Sequence, residues 1–168
     1  MTDYKIRKSA VGDYMAMRQV NRAAWERAYD NIYTPDEIHG LFEDELDQHG
    51  TWVDRRLERI STLVAEVNDE IVGFCGVALL REGDGEIVTL YIHPAHQGKG
   101  IGTGLWHAGL GTLRDAGAQK AWVWVLAQAE AVHFYEHKGC VLTETGTYTI
   151  GEHEEKTHGY TLALDDDA

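Results

Sequence analysis

Apolar positions recur along this chain with two periods, and the alternation of those periods predicts its elements. Strand-like runs occupy residues 4–9, 62–67, 71–80, 86–92, 121–126, 141–150 and 156–164. In the first, Tyr4 and Ile6 alternate with Lys5 and Arg7, as in a half-buried strand. The run AWVWVL at 121–126 is continuously apolar, which predicts a strand covered on both faces. Helix-like segments lie between the strands. Met17, Val20, Ala24 and Ala28 recur at three- and four-residue steps behind Asp13, a candidate N-cap, and the segment ends near Asn31. Thr34-Pro35-Asp36-Glu37 opens the next helix: Thr34 can cap, Pro35 suits the first helical position and Glu37 can complete a capping box. Ile38, Leu41, Phe42 and Leu46 supply its apolar face, and Gly50 ends it. Trp52, Val53, Arg56, Leu57 and Ile60 predict one more helix, with its arginines on a solvated face. Two further helices are expected, one from Ile101 to about Ala116, closed by Gly117, and one over 130–137, ended by Lys138-Gly139.

The turns order these pieces. Asn68-Asp69-Glu70 makes a tight hairpin, residues 81–85 make a second turn, and Gly151 joins the last two strands. Gly73 and Gly76 interrupt a strand, which marks a bulge or a close backbone approach. The order is strand, helices, three meander strands, helix, strand, helix, two strands. That predicts a single α/β or α+β domain over 1–168 with a mixed sheet of about seven strands.

Composition narrows the setting. A chain of 168 residues with 43% hydrophobic content can bury a real core. No apolar run approaches the roughly 20 residues of a membrane span, and Met1-Thr2-Asp3-Tyr4-Lys5 has no signal-peptide core, so a cytoplasmic protein without a membrane partner is expected. Cys75 and Cys140 sit in apolar contexts and read as reduced buried thiols. Acidic residues outnumber basic ones 28 to 15, for a net charge of −13. Such a surface repels nucleic acid. The acid is spread along the chain and only six basic residues are Lys, a balance suited to a high-salt, halophilic cytoplasm; an ordinary acidic protein is the alternative.

The chemistry begins at Gln97-Gly98-Lys99-Gly100-Ile101-Gly102, between a strand and a helix. Alternate glycines let backbone approach a ligand, and the first amides of a helix lack intrahelical acceptors and carry the positive end of its dipole. The result is an anion site suited to phosphate. A nucleoside-triphosphate loop would need Ser or Thr after Gly98-Lys99, where Gly100 stands. A dinucleotide fingerprint belongs to an early strand-helix unit, whereas this loop follows a meander.

Gln97-x-x-Gly100-x-Gly102 resembles the Gln/Arg-x-x-Gly-x-Gly/Ala signature of the GNAT (Gcn5-related) N-acetyltransferase superfamily. Leu90-Tyr91-Ile92-His93-Pro94 before it, Gly104-Leu105 after it, and Ala131-x-x-Phe134-Tyr135-Glu136-x-x-Gly139 further on agree with that family. The resemblance implies a GNAT-like fold: a largely antiparallel mixed sheet flanked by helices, with a splayed strand pair for CoA. Residues 1–61 would hold the first strand and substrate-side helices, 62–116 the meander and CoA-binding loop-helix, and 117–168 the C-terminal strand, helix and hairpin. It implies transfer of an acetyl group from acetyl-CoA to a primary amine, by direct attack in a ternary complex. Gln97, Gly98, Lys99, Gly100, Ile101 and Gly102 would hold the CoA pyrophosphate, with Thr103 adding a hydroxyl; Leu90 and Ile92 would offer backbone groups to the pantetheine arm and acetyl carbonyl. The family places Asn three residues before Ala131; this chain has Gln128, whose amide reaches one carbon further.

Acetyl transfer needs a neutral amine, a donor to the developing oxyanion and a proton for the departing thiolate. On the resemblance, Tyr135 is the acid; the alternative is an aromatic packed in the core, the role expected of Phe134. Glu86 is the base candidate, because the histone-type branch of the family this chain resembles has a catalytic Glu at that spacing, eleven positions before the Gln97 position. On a period of two it would share a strand face with Val88, Leu90 and Ile92, and partial burial would raise its pKa. The alternatives are a solvated strand-end carboxylate and a water relay. The resemblance implies acceptor recognition by the early helices and the closing hairpin, which makes Trp25, Tyr29 and Tyr33, with Tyr148 and the loop around residues 152–158, the candidates; helix packing is the plainer role for the first three. His93-x-x-His96 and His133/His137 lack a third ligand at a telling spacing, so no metal is expected. Two other readings stay open: a CoA-binding regulatory module without catalysis, and transfer of a longer acyl group, for which Gly73 and Gly76 would make room. A homodimer through residues 141–150 is a further expectation.

Overall fold

The computed structural model describes residues 2–48, 61–80 and 82–165, with 43–48 as backbone alone. The expected helix over 52–60 and its preceding Gly50 lie outside the described residues. Seven strands form one sheet in the order β1-β2-β3-β4-β5-β7-β6: β1 Lys5–Lys8, β2 Ser61–Val67, β3 Glu70–Leu79, β4 Gly85–Ile92, β5 Lys120–Leu126, β6 Val141–Ile150 and β7 His153–Ala163. All neighbours pair antiparallel except β4 and β5. The β2–β3 hairpin turns at Asn68 and Asp69, both at positive φ, a turn geometry that matches strand twist.

Four helices flank the sheet: α1 Tyr14–Ala28, α2 Pro35–Gln48, α3 Ile101–Asp115 and α4 Ala131–His137. The box at Thr34 forms as its residue types require: the Thr34 amide donates to Glu37 at 2.8 Å, and the Glu37 amide to Thr34 Oγ1 at 3.3 Å. Asp13 behaves differently from expectation. Its carboxylate turns back to accept from the Ala10 amide and the Arg7 guanidinium, both at 2.7 Å, and a 3-10 turn at Val11–Asp13 leads into α1. The strong Arg7 cation outcompetes a helix amide for that acceptor. Gly117 and Gly139, at φ +91° and +86°, close α3 and α4. The next amide reaches back in each case, Ala118 to Leu113 and Cys140 to Tyr135.

The core lies mainly between the sheet and α3. Ile101, Leu105, Trp106, Leu110 and Leu113 are buried against β2, β3 and β4. Glycines allow this close contact: a Cβ on Gly109 would lie 2.9 Å from Cys75 Sγ, and one on Gly85 2.7 Å from Leu113. Val20 of α1 packs on the other face with Val64 and Phe74. Cys75 and Cys140 are buried free thiols, both pushed up by desolvation, to about 12 and about 11.

Two sequence expectations fail on the sheet. β4 carries a bulge at Val88, where the register steps from Gly76–Thr89 to Val77–Ile87. An extra residue reverses the alternation of faces. Ile87 therefore faces α3 together with Ile92, five positions on: a Cβ on Gly109 would meet the first, a Cβ on Gly73 the second. Glu86 lies on the opposite face from Leu90 and Ile92, with Tyr91, and does not share their side. Second, β5 is covered on one face alone. Ala121, Val123 and Val125 are buried, whereas Trp122 and Trp124 point to the α1 side and Trp124 is 40% exposed. The space beside Gly73 is taken by Ile92 and Leu105, so this glycine serves packing and gives no room for a longer acyl chain.

Candidate active site

The parallel pair β4–β5 makes the site by ending early. The two strands pair at Gly85–Ala121, Glu86–Trp122 and Ile87–Val123, then part. Beyond Ile87, β4 runs on to the glycine loop and β5 to α4, and a cleft opens between them. Two cavities meet there. The first, about 450 Å³, lies at the N-terminal end of α3 and reaches the end of α1: it is lined by Leu90, Ile92, Gly98, Gly100 and Thr103, and also by Ala24, Arg27 and Ala28. The second, about 610 Å³, opens on the α1 side over Val88, Thr89, Trp124 and Tyr148. Tyr29, Leu90, Tyr91, Ala131 and Tyr135 line both.

The glycine loop has the geometry of an anion cradle. Gly98 and Gly100 sit at φ +72° and +82°, a region that L side chains rarely adopt, and the space over both is open. The amides of Gly98, Lys99 and Gly100 donate to no backbone acceptor among the described residues. The first amides of α3 add donors without intrahelical partners. The side chains of the motif do other things. Gln97 donates its amide to the Ile92 carbonyl at 3.1 Å and so ties the loop to the end of β4. Lys99 Nζ folds onto the Ala95 carbonyl, and the Ile101 side chain is core. Thr103 Oγ1 accepts from Lys138 Nζ at 3.0 Å, which brings a cation from the end of α4 to the cavity wall.

Tyr135 is buried beside Trp106 and Phe134, at ring distances of 5.6 and 5.4 Å. Desolvation, reinforced by Tyr91, pushes its phenol far above the ordinary range, so it is protonated at neutral pH. Its hydroxyl makes no hydrogen bond to a described residue. Glu86 is half-buried on the α1-side face, opposite Trp122, at the closed end of the cleft. Desolvation raises its carboxyl, and no described residue hydrogen-bonds to it. It lines neither cavity.

The early aromatic residues form one cluster. Trp25 stacks at a tilt on Tyr29, with centroids 4.5 Å apart, and donates its indole N–H to the Tyr91 hydroxyl at 3.2 Å. Tyr29 is buried and its phenol is raised by desolvation. Tyr33 lies behind them, buried, and donates to Glu155 of β7; its phenol is raised to about 12. Gln128 lines neither cavity, and its amide donates to the same Glu155 at 3.2 Å. The Glu37 carboxylate meets His153 Nε2 at 2.8 Å, so the start of α2 is clasped to the β6–β7 turn.

Two residues at the cleft, Tyr91 and Trp124, carried no assignment from the sequence, and Phe134 was expected in the core. Tyr91 lies between Leu90 and Ile92 on the opposite strand face, Phe134 lines the α3-side cavity beside Tyr135, and Trp124 lines the α1-side one. Tryptophans at alternate positions of β5, with Gly159 opposite, are the sequence sign of the last. No group of three His, Cys, Asp or Glu side chains among the described residues could hold a metal.

The model of the acetyltransferase (GNAT) family matches residues 18–140. An uncharacterized N-acetyltransferase, YuaI, from Bacillus subtilis is 26% identical over 78% of this chain and 76% of its own length. An L-amino acid N-acyltransferase, MnaT, from Escherichia coli is 30% identical over 59% of this chain and 61% of its own. Among solved structures, the PaiA N-acetyltransferase from Thermoplasma acidophilum, in complex with coenzyme A, superposes with a TM-score of 0.77 at 20% identity, over 93% of this chain and 98% of that one. The parted β4–β5 pair, the glycine cradle and the family match converge: this chain belongs to the acetyltransferase (GNAT) family and is an acyl-CoA-dependent acyltransferase.

Proposed function

We propose that this enzyme acetylates a primary amine, with the acyl donor in the α3-side cavity and the acceptor entering from the α1 side. The observation that carries this reading is the place of Tyr135, in the wall shared by the two cavities, with no hydrogen bond from its hydroxyl to a described residue. Two reactants held in cavities that share a wall can touch only along that wall, and Tyr135 is part of it.

The residues fit CoA. Gly98 and Gly100 leave open space where a Cβ would stand, beside amides that donate to no described backbone acceptor, which suits a pyrophosphate. The Thr103–Lys138 pair adds a hydroxyl and a positive charge beside it. The Gln97 side chain holds the Ile92 carbonyl and so fixes where β4 stops. Leu90 would present backbone groups to the pantetheine arm along the cavity wall. Gln128, turned to Glu155, takes no part in this assignment. Bound acetyl-CoA would supply an acetyl thioester, whose carbonyl carbon bonds to the amine nitrogen as its C–S bond breaks.

The chain's own groups manage the protons. Tyr135 donates its O–H to the leaving sulfur. Because the phenol lies far above a thiol in pKa, it acts mainly as a fixed hydrogen-bond donor to developing charge rather than as a strong acid. Glu86 accepts the amine proton through water at the closed end of the cleft, and its raised carboxyl brings it nearer the range useful for a base. Trp25 and Tyr29 shape the acceptor entrance, and Tyr33 holds the β6–β7 hairpin against it through Glu155. β6 is the sheet's open edge and largely exposed, the place where a second copy would pair; a sedimentation mass of one chain would remove that part.

A panel of amines, read by CoA thiol release with acetyl-CoA, tests the reading. Release that depends on an amine supports it. Hydrolysis without amine dependence, across primary amines of varied size, overturns it.

A further inference from the structure

The α1-side cavity has an unusual lining for a site that must take an amine. Trp25, Tyr29, Tyr91, Trp124, Tyr135 and Tyr148 all face it, and no Asp, Glu, Lys or Arg among the described residues lines it. A charged ammonium loses solvation in such a place with no counter-ion in contact. The same surroundings lower the pKa of a bound amine and favour the neutral nucleophile. What the lining recognises is therefore the body that carries the amine.

Trp124 is, with Tyr148, an exposed aromatic of that lining, and glycines on the two neighbouring strands leave room for its ring. Gly159 of β7 pairs directly with Trp124, and a Cβ there would lie 2.7–2.9 Å from the indole. Gly146 of β6, one strand further, would place a Cβ 3.6 Å from the same ring. The indole thus lies over Gly159 and Gly146, which put no side chain against it, and it lines the cavity. Trp122 lies parallel to it, at 9° and 6.0 Å between centroids. Trp122 is itself held by its N–H donating to Asp84 at 3.0 Å and by Lys120, 5.4 Å from its ring. A ring seated on glycines and flanked by a pinned parallel ring is a platform for another flat apolar group. Glu86 sits on the same sheet face, across from Trp122 in the ladder.

We propose that the acceptor is an amine carried on a flat aromatic body, an arylalkylamine, that stacks on Trp124 with its amine directed into the cleft. This rests on the reading that the α1-side cavity takes the acceptor. It disfavours an α-amino acid seated wholly in this cavity, where no described lining residue is a cation; Arg27 lines only the adjoining one. Trp124 is then the residue that sets specificity.

The test compares three acceptors by steady-state thiol release with saturating acetyl-CoA: 2-phenylethylamine, a straight-chain alkylamine of equal carbon number, and L-phenylalanine. Each is run with the wild type, Trp124→Ala and Trp124→Phe, and the sedimentation mass of each protein is measured. The expected wild-type order puts kcat/KM for phenylethylamine about tenfold or more above both others. Trp124→Ala should cut the phenylethylamine-to-alkylamine ratio about tenfold, mainly through KM, and Trp124→Phe should restore part of it. Equal use of the two amines, or a preference for L-phenylalanine, overturns the aromatic class while leaving amine acetylation intact. A Trp124→Ala protein that keeps its ratio but changes in mass makes this face a contact between copies and overturns the proposal. Thiol release with none of the acceptors, nor with any amine of the wider panel, removes the underlying reading as well.

Discussion

At the residue scale the account turns on groups moved from their ordinary protonation. Glu86 is raised by burial alone, so kcat/KM should climb with pH through its pKa. Glu86→Gln should lower kcat by about tenfold or more and remove that inflection; an unchanged pH profile would leave the proton to water. The Glu37–His153 clasp makes a different pH prediction. His153 and the Thr34 cap lower Glu37 from 4.5 to about 2, so its contribution is present above pH 4.5 and is lost as pH falls towards 2. Glu37, aided by Glu155 and Glu152, raises His153 above 6.5, so that contribution is present below 6.5 and is lost as pH rises through the raised value. Both hold between 4.5 and 6.5. His153→Ala should lower Tm more at about pH 5.5 than at about pH 9; equal losses would show that the contact is not ionic. Little of this was legible in the sequence. Glu86 was singled out through the family resemblance, whereas a partner 116 positions away, as His153 is from Glu37, leaves no local trace.

At the element scale, period and capping carried most of the reading. The box at Thr34, the glycine stops after α3 and α4 and the Asn68-Asp69 turn all depend on local φ/ψ and hydrogen bonding, which neighbouring residues decide. The errors came where tertiary contacts decide. A bulge at Val88 inverts the faces of β4, and nothing local distinguishes it from an unbroken strand. The run at 121–126 looked buried on both sides because Trp counts as apolar, yet the two indoles lie on an open face. Gly73 and Gly76 did mark irregularity, since the β3–β4 shift falls at Gly76. Close packing of α3 makes this scale testable. In Gly109→Ala the new Cβ would meet Cys75 Sγ at 2.9 Å and Ile87 at 3.2 Å. Overpacking costs about 1–3 kcal/mol, and better helix propensity returns up to about 1. A net loss of about 1–2 kcal/mol in denaturant unfolding is expected; a gain would mean that α3 sits off the sheet.

At the scale of the whole molecule, charge and topology are separate matters. The −13 charge predicts a fold that gains stability from low to molar KCl as repulsion is screened. Equal stability in both would remove the high-salt expectation and leave the enzyme untouched. Topology makes the site: a sheet antiparallel everywhere except at β4–β5 has one place where neighbouring strands can part without leaving a hairpin behind. The family resemblance carried by the two motifs on either side of β5 implied that place. It could not show which side chains would line the two faces, because this depends on the bulge. The central claim is that Tyr135, where the cavities meet, assists acetyl transfer. Steady-state kinetics of Tyr135→Phe, with acetyl-CoA affinity measured by calorimetry, tests it most directly. The account predicts kcat lower by about 10²-fold with nearly unchanged acetyl-CoA affinity. Wild-type kcat in that variant, with the same affinity, would contradict it.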